Sequence, residues 1–278
     1  MKKVIALDIG GTNTRLALVD EKYNILKVEI RPTVTGSKED FLNSVRNIIV
    51  DNVDDFSQYC AIACGVPGRV SPTGYIEALP NIGIIDIPLA EYLFDLAKLP
   101  VFVKNDAEVA CLAEANVGPY KDSASLYFVT ISTGVGGALA RNGNLWPSSN
   151  EPGHVLINYK GELHEMEHYV SGNGILRLAK EEGMEVESAK DFFEAYAGGD
   201  KQAREIFPIW LGYLSSWFNA TKAAFEPDVF VLTGGVMKSK EVWLDKLKEA
   251  CPDCNIQECG CGQYAGLLGA AALGFHNA

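Results

Sequence analysis

Three segments of the sequence place glycines and threonines directly after a run of apolar residues. They are LDIGGTNTR at residues 7–15, TISTGVGGA at 130–138 and VFVLTGGVM at 229–237. Glycine has no Cβ, so backbone N–H groups in such turns can approach an anion closely, and threonine hydroxyls add donors. The first two turns lead into a second strand, which excludes a Walker loop and a dinucleotide fingerprint because each continues into a helix. One such turn alone is equally consistent with an ordinary hairpin, but its recurrence favours phosphate binding, with the third segment beside a nucleotide base or ribose.

Asp106, in the segment VKNDAE at residues 103–108, lies between a predicted buried strand and a predicted helix. One interpretation is an N-cap that satisfies the free amide groups of the helix. The other is a general base, because ligand sites in α/β folds lie at the carboxyl ends of strands. There a positioned carboxylate can accept the proton of a hydroxyl that attacks the γ-phosphate of ATP. The glycine-rich turns favour the second interpretation.

The stretch at residues 150–172, NEPGHVLINYKGELHEMEHYVSG, is dense in histidine and glutamate. Convergent carboxylates and imidazoles suit either a metal ion or the hydroxyl groups of a sugar ring. His164 and His168 could share a helix face, but no third metal ligand follows at a suitable spacing. For Glu162, His164, Glu165 and His168, a solvated charged loop is the simpler interpretation.

Alternating apolar residues predict strands on both sides of the first two turns, and this repeated design indicates an internal duplication. Apolar residues at helical spacing over 38–50 and in later segments predict interleaved helices. We therefore expect an α/β protein of two lobes with a cleft and one ATP site between them. The N-terminal lobe is predicted to span 1–115, with the option that the last helix at 264–278 returns to it, and the C-terminal lobe to span 116–263.

The composition of the 278 residues argues against several classes of protein. A formal net charge of −12 does not suit a nucleic-acid surface, which needs clustered Lys and Arg. No apolar stretch reaches the roughly 18–20 residues of a membrane span, and the N-terminus lacks a signal-peptide cleavage site, so a cytoplasmic protein is expected. Seven cysteines do not indicate a disulfide framework. The spacing of Cys251, Cys254, Cys259 and Cys261 could bind zinc, although buried or idle thiols are the default.

Together and in this order, the segments resemble the ROK family of bacterial and archaeal sugar kinases and sugar-responsive repressors. The resemblance extends from Asp8 to the final AGLLGAAALG and rests on DIGGTNTR, GVPGRV, PNIG, NDAE, ISTGVGGA, EPGH, EHYVSG and VLTGGV. It implies a two-lobed actin-like ATPase (ribonuclease H-like) fold of the α/β class. It also implies ATP and Mg²⁺ as the cofactors and a homodimer as the assembly.

The resemblance assigns roles to individual residues. The Asp of the family's NDA segment is the general base, which implies that role for Asp106, and Asp8 would hold Mg²⁺ through water. The implied sugar site consists of Gly65, Pro67, Gly68, Asn81, Asn105, Asp106, Glu151, His154 and Glu167. The implied ATP site consists of Asp8, Gly10, Gly11, Thr12, Asn13, Thr133, Gly134, Val135, Gly136, Gly234 and Gly235.

The sequence also departs from the family. Relatives usually bind zinc through the His of the EPGH-like segment and three cysteines, but no cysteine lies between His154 and Glu167, so zinc is not expected. The segment PNIGIID lacks a tryptophan common at this point, which bears on substrate choice. The first strand is predicted to begin at Lys3, so the additional N-terminal helix-turn-helix of the family's repressors is not expected.

The leading hypothesis is ATP-dependent phosphorylation of a hexose hydroxyl, with glucose O6 as the default acceptor. N-acetylmannosamine, fructose or a phosphorylated glycoside are alternative acceptors, because discrimination among hydroxyl patterns depends on the pocket. A hypothesis of another class is a sugar sensor that binds without turnover, and a third is an actin-like ATPase that needs no sugar. The expected partners are a small sugar and ATP, without nucleic acid or membrane.

Overall fold

The structure, a computed structural model, describes residues 2–80, 82–147 and 151–278. Strands and helices alternate along the chain, as the periodicity of the apolar residues predicts. Within these ranges no helix combines the length and the hydropathy that crossing a bilayer requires. The α-helices are α1 (Lys38–Val50), α2 (Leu89–Ala97), α3 (Asp106–Asn116), α4 (Glu167–Val170), α5 (Gly172–Glu181), α6 (Ala189–Gly198), α7 (Lys201–Phe225), α8 (Lys240–Ala250) and α9 (Ala265–Asn277).

The chain divides into two compact units. The first consists of Met1–Asp122 with Gly260–Ala278, and the second of Ser123–Cys259. By this division, helix α9 belongs to the first unit. Residues 116–122 and 260–263 also lie there, beyond the lobe boundaries that the sequence suggests.

The first unit contains one larger and one smaller sheet. Its strands are β1 (Lys3–Ile9), β2 (Asn13–Asp20), β3 (Ile25–Pro32), β4 (Ala61–Val66), β5 (Arg69–Val70), β6 (Ile76–Leu79), β7 (Ile84–Ile87) and β8 (Val101–Asn105). The larger sheet has the order β3–β2–β1–β4–β8, and the smaller one the order β5–β6–β7. Strand β1 pairs antiparallel with β2, which confirms the predicted hairpin, and parallel with β4, which in turn pairs parallel with β8. The carboxyl ends of β1, β4 and β8 therefore meet at one edge.

The second unit repeats this arrangement. Its strands are β9 (Ser125–Ile131), β10 (Val135–Arg141), β11 (Asn144–Leu145), β12 (Leu156–Tyr159), β13 (Glu162–Glu165), β14 (Val229–Thr233) and β15 (Ile256–Glu258). The larger sheet has the order β11–β10–β9–β14–β15, with β9 antiparallel to β10 and parallel to β14. The equivalent pairing in the two units supports the predicted duplication. Strands β12 and β13 form a separate hairpin.

Each sheet is covered by helices that follow the predicted pattern of apolar residues. Helix α1 occupies the predicted range 38–50 and buries Phe41, Val45 and Ile49 against the first core. In the second unit, large aromatic side chains fill the space between helices, with Trp210 packed edge-to-face against Trp243 at 5.4 Å. The indole N–H of Trp210 donates to the carbonyl of Val170 at 3.0 Å, so this polar group is satisfied inside the core.

Helices α3 and α9 of the first unit approach each other closely because the contact is lined by small residues. A Cβ added at Gly269 of α9 would overlap the carbonyl oxygen of Val109 on α3. Gly212 of α7 is also in a helix interior, but no atom lies within 4 Å of the corresponding position. Substitution of Gly212 can therefore serve as the control for substitution of Gly269.

We predict that Gly269→Ala destabilises the protein by about 1–3 kcal/mol, because the added methyl group forces the two helices apart. Gly212→Ala should stabilise it by about 0.5–1 kcal/mol, because alanine loses less conformational entropy in a helix. Chemical denaturation of both variants measures the two effects. A Gly269→Ala protein as stable as the parent would contradict the close approach of α3 and α9.

Candidate active site

The first glycine-rich turn joins β1 to β2 and is closed by its own backbone. The N–H of Gly10 donates to the carbonyl of Asn13 at 2.8 Å, and the Thr33 hydroxyl donates to the carbonyl of Gly10 at 2.7 Å. The N–H of Thr33 donates to the carbonyl of Thr12 at 2.9 Å. Gly11, Thr12 and Asn13 are exposed, so the tip of a well-braced turn faces solvent. Such a tip can hold phosphate oxygens.

Asp8 lies near the end of β1, and its side chain is 24% exposed. Burial raises the pKa of the Asp8 carboxyl, and the positive charge of Arg15 opposes that rise. The Arg15 guanidinium lies 3.7 Å from the carboxylate. The first turn of α9 also packs closely against the Asp8 carboxyl group. A Cβ added at Gly266 would lie only 2.5 Å from the Asp8 Cγ. A carboxylate with so little solvent is suited to pairing with a cation.

The strand register sets the distance between Asp8 and the start of α3. Asp8 of β1 pairs with Gly65 of β4, and Gly65 pairs with Lys104 of β8. Neighbouring strands are about 4.8 Å apart, so Asp8 and Lys104 are separated by about 10 Å across the sheet. Asn105 and Asp106 follow directly. The predicted metal ligand, Asp8, and the predicted base, Asp106, therefore both lie at the carboxyl ends of the strands of this sheet.

The N-cap of α3 is Asn105 and not Asp106. The Asn105 carboxamide oxygen accepts from the N–H of Ala107 at 2.9 Å, and the Glu108 side chain completes the capping box by accepting from the Asn105 N–H at 3.1 Å. Asp106 is the first helical residue and is exposed, with one carboxylate oxygen 2.8 Å from the same Ala107 N–H. The capping interpretation of Asp106 is therefore wrong, because its neighbour performs that role.

Asn105 also fixes the turn that follows β4. Its carboxamide nitrogen donates to the carbonyl of Gly68 at 3.0 Å. This bond brings the predicted sugar-site segment of Gly65, Pro67 and Gly68 to the start of α3. Asn81, the remaining predicted sugar ligand of this part of the chain, lies outside the described residues.

The second glycine-rich turn, between β9 and β10, packs against the carboxylate of Glu167. The N–H of Val135 donates to Glu167 Oε2 at 3.1 Å, and the same oxygen lies 2.7 Å from the position of a Cβ at Gly134. Glu167 is the first residue of α4. The turn of Thr133, Gly134, Val135 and Gly136 and a predicted sugar ligand are therefore brought together.

The third glycine segment lies beside the second turn. Gly234 has φ +107°, a conformation that other residues rarely adopt, and a Cβ there would overlap the backbone of Ile131. Gly234 follows β14, and Gly235 begins a short 3₁₀ turn that precedes α8. The predicted nucleotide residues Thr133, Gly134, Gly234 and Gly235 thus lie at adjacent strand ends of one sheet.

Glu151 and His154 lie on the segment that leads into the hairpin β12–β13. Nδ1 of His154 is 2.9 Å from Oε1 of Glu165, and both side chains are about half exposed. In the described part of the chain, the group of acidic, His or Cys side chains within reach of one metal ion is His154, Glu165 and Glu167, whose ligand atoms lie within 4.8 Å of one another. Glu165 was expected in a solvated loop, and the hairpin instead brings it to His154.

Two cavities open on this part of the second unit. The smaller one, of about 180 Å³, is polar and is lined by Thr133, Glu165, Glu167, His168, Ser171, Asn173 and Arg177. The other, of about 530 Å³, is mainly apolar and includes Glu151, His154 and Trp217 in its wall. Sequence reasoning missed Asn173 and Arg177, because they lie on helix α5, which carried no candidate site residue, and it gave no role to Ser171, although this residue lies within the quoted segment EHYVSG.

Of the four cysteines near the C-terminus, Cys251 and Cys254 are buried, whereas Cys259 and Cys261 are partly exposed. Cys251 Sγ lies 3.5 Å from the carbonyl of Ser215, and Cys254 Sγ lies 3.7 Å from that of Phe218, both on α7. Burial raises the pKa of the Cys251 thiol to about 12, so it stays protonated at neutral pH. Both thiols act as small core side chains.

The hairpin that carries Glu165 is tied to the end of α5 by Glu182. The Glu182 carboxylate accepts from the hydroxyl of Tyr159 and pairs with the ammonium of Lys160 at the hairpin turn. These two interactions, with Lys160 the larger, lower the pKa of Glu182 below its ordinary value of 4.5. A lowered carboxyl pKa stabilises the fold above pH 4.5, and this contribution is lost as the pH falls through the folded-state pKa.

We predict that Glu182→Gln lowers the free energy of unfolding by about 1 kcal/mol at pH 7, because the ion pair is lost. The difference from the parent protein should be smaller at pH 3 than at pH 7, because the ion pair is lost as the pH falls through the lowered pKa of the Glu182 carboxyl. Denaturant titrations at the two pH values measure it. Glu185→Gln on the same loop, at an exposed residue, is the matched control. An equal loss at both pH values would rule out the charge as the cause.

Comparison with known proteins places the chain among sugar kinases. A sequence model of the ROK family matches residues 4–276. A glucokinase of Halalkalibacterium halodurans is 29% identical over 279 residues, which cover 88% of this chain and 84% of the relative. An N-acetyl-D-glucosamine kinase of Haemophilus influenzae is 25% identical, with 96% of this chain and 97% of the relative covered. Among solved structures, a ROK hexokinase from Thermus thermophilus is 26% identical with a TM-score of 0.83, over 99% of this chain and 98% of the other.

The similarity to the solved hexokinase confirms the predicted α/β fold of the actin-like ATPase type. The family match spans nearly the whole chain, from β1 to α9, and includes all three glycine segments as well as Asp106. The chain therefore belongs to the ROK family.

Proposed function

We propose that this chain, an ATP-dependent sugar kinase of the ROK family, phosphorylates a hexose with Asp106 as the general base and glucose O6 as the default acceptor. The observation that carries this proposal is the capping box of α3. Because Asn105 caps the helix, the start of α3 does not require an acidic residue at position 106. An exposed carboxylate at the end of a parallel strand is suited to accept the proton of an attacking hydroxyl.

The two glycine-rich turns and the third glycine segment are proposed to hold ATP. In the first unit, the residues for this role are Asp8, Gly10, Gly11, Thr12 and Asn13, whose turn is braced by Thr33. In the second unit, they are Thr133, Gly134, Val135, Gly136, Gly234 and Gly235. Exposed amides in braced turns supply local positive potential, which a protein of net charge −12 needs for binding a polyphosphate.

Magnesium fits the surroundings of Asp8. Mg²⁺ prefers oxygen ligands and keeps several waters, and a half-buried carboxylate beside a phosphate-binding turn suits such an ion. Asp8 would hold it through water, and bound Mg²⁺ would neutralise charge on the phosphates of ATP.

The residues proposed to contact the sugar are Gly65, Pro67, Gly68, Asn81, Asn105, Asp106, Glu151, His154 and Glu167. The Glu167 side chain is constrained, because the Val135 N–H donates to one of its oxygens. The other oxygen can then accept from a sugar hydroxyl. Carboxylates and an imidazole at fixed positions suit recognition of a ring of hydroxyl groups.

Glucose O6 is the default acceptor, and this choice does not follow from the geometry of the pocket. The relatives include a glucokinase and an N-acetyl-D-glucosamine kinase at similar identity, which supports a hexose or an N-acetylhexosamine. N-acetylmannosamine, fructose and a phosphorylated glycoside stay alternatives. A coupled ADP-release screen over these sugars identifies the acceptor.

The same screen separates the hypotheses of other classes. Saturable sugar binding without ADP release would indicate a sensor, and ADP release without sugar would indicate an actin-like ATPase. A homodimer and a cytoplasmic location stay predictions from the sequence; light scattering at micromolar concentration tests the first.

We predict that Asp106→Asn lowers kcat by about 10²–10⁴, because the attacking hydroxyl loses its proton acceptor. The sugar KM and the melting temperature should change little, since Asp106 is exposed and the helix cap is intact. Steady-state kinetics with the acceptor found in the screen measure this. Asp95→Asn, an exposed carboxylate on α2 of the same unit, is the matched control. A kcat within threefold of the parent enzyme would remove Asp106 from the role of base.

A further inference from the structure

Helix α4 is bonded to both sides of the second glycine-rich turn. At the start of the helix, Glu167 Oε2 accepts from the N–H of Val135, the first residue of β10, at 3.1 Å. Just beyond its end, the N–H of Gly172 donates to the carbonyl of Ser132, the residue that follows β9, at 2.6 Å. These two hydrogen bonds hold the two strand ends between which the turn lies.

The carboxylate of Glu167 meets the base of this turn and not its tip. Val135 is 4% exposed and belongs to the core of the second unit, whereas Ser132 and Thr133 at the tip are exposed. The tip is therefore left for a phosphate group, which backbone N–H groups and the Thr133 hydroxyl can hold.

Two glycines allow the carboxylate to approach the turn this closely. A Cβ added at Gly134 would lie 2.7 Å from Glu167 Oε2, and one added at Gly153 would lie 2.9 Å from the same oxygen. The Cβ at Gly153 would also lie 2.5 Å from the carbonyl oxygen of Val135. A side chain at either glycine would therefore press the carboxylate and the turn apart.

Helix α4 is itself anchored in the core of the second unit. Tyr169 and Val170 are buried there, and the carbonyl of Val170 accepts from the indole N–H of Trp210 at 3.0 Å. Glu167 therefore projects from a backbone that is held in place, and its bond to Val135 restrains the turn.

A carboxylate beside a turn that binds phosphate needs an explanation, because its negative charge repels a phosphate group. In the first glycine-rich turn, the neutral hydroxyl and N–H of Thr33 hold the backbone. In the second turn, a charged group does so. Hydrogen bonds to a charged acceptor are stronger than those between neutral groups, so the carboxylate is an effective brace for the turn.

We propose that Glu167 is a positioning residue for the nucleotide: it braces the second glycine-rich turn, so that a residue of the proposed sugar site sets the affinity for ATP even when no sugar is bound. The brace stands on the contacts of Glu167, and its effect on ATP rests on the proposed function. The competing explanation is that the carboxylate occupies the Val135 amide only until a phosphate replaces it. In that case, removal of the carboxylate would strengthen nucleotide binding.

Calorimetric titration with Mg²⁺ and AMPPNP, a non-hydrolysable analogue of ATP, tests this effect in the absence of sugar. Glu167→Ala should raise the Kd about tenfold although it removes a negative charge, because the turn loses one hydrogen bond. Glu167→Gln, whose carboxamide oxygen can still accept from the Val135 N–H, should keep the Kd within about threefold of the parent value. Gly153→Ala should also raise the Kd, because the added methyl group separates the carboxylate from the turn.

Glu165→Ala is the matched control, because it removes the same charge from a side chain two residues away that lines the same polar cavity. The N–H of Val135 donates to Glu167 and not to Glu165, so this variant should leave the Kd unchanged or lower it. An unchanged or lower Kd in Glu167→Ala overturns the proposal. So does an equal rise of the Kd in Glu165→Ala, or a Glu167→Gln variant that binds as weakly as Glu167→Ala.

Amide hydrogen exchange separates the brace from the proposed function. In Glu167→Ala, the Val135 amide should exchange about tenfold faster than in the parent protein, whereas Glu165→Ala should leave its rate unchanged. Unchanged protection of helix α7 shows that the variants are folded. Equal exchange at Val135 in Glu167→Ala and in the parent overturns the brace. A parent protein that binds no AMPPNP refutes the proposed function instead, and the exchange rates then decide the brace by themselves.

Discussion

Parallel pairing of β1, β4 and β8 is the constraint on which the candidate-site residues of the first unit depend. Because the three strands run in the same direction, their carboxyl ends meet, and Asp8, Gly65 and Lys104 lie in one row across the sheet. A shift of the register by one residue would turn each side chain to the opposite face. The same pairing recurs in β9 and β14, where it brings the backbone of Ile131 against Gly234. The same parallel pairing therefore brings strand ends together in each of the two units.

At the start of α3, two adjacent residues have separate tasks. Asn105 has extended backbone angles, φ −63° and ψ 150°, and its side chain satisfies both a helix amide and the carbonyl of Gly68. Asp106 is already helical. The stability of the helix end and the chemistry of the carboxylate are thus assigned to different side chains, so the second can be adapted to catalysis without loss of the cap. This separation is the physical basis for the role proposed for Asp106.

In the second unit, the second glycine-rich turn and the residues proposed to bind the sugar are coupled through Glu167. Its carboxylate receives the N–H of Val135, so the position of this side chain and the shape of the second glycine-rich turn depend on each other. The hairpin β12–β13 adds Glu165 beside His154. A polar cavity of about 180 Å³ borders both glutamates and Thr133, which fits a site where a phosphate and hydroxyl groups meet.

The sequence by itself determined the features that depend on neighbouring residues. The hairpin around Gly10, helix α1 and the glycine turn after β9 follow from short-range periodicity and from the backbone freedom of glycine, and the structure has each where it was predicted. Only the tertiary structure decided the partners of side chains. Whether residue 105 or residue 106 caps α3 depends on the backbone angles at these two positions. Those angles cannot be predicted from the type of one residue. Glu165 meets His154 only in the register of a hairpin, and the burial of Asp8 depends on Gly266, more than two hundred residues away. These contacts join segments remote in sequence, and no local pattern encodes such distances.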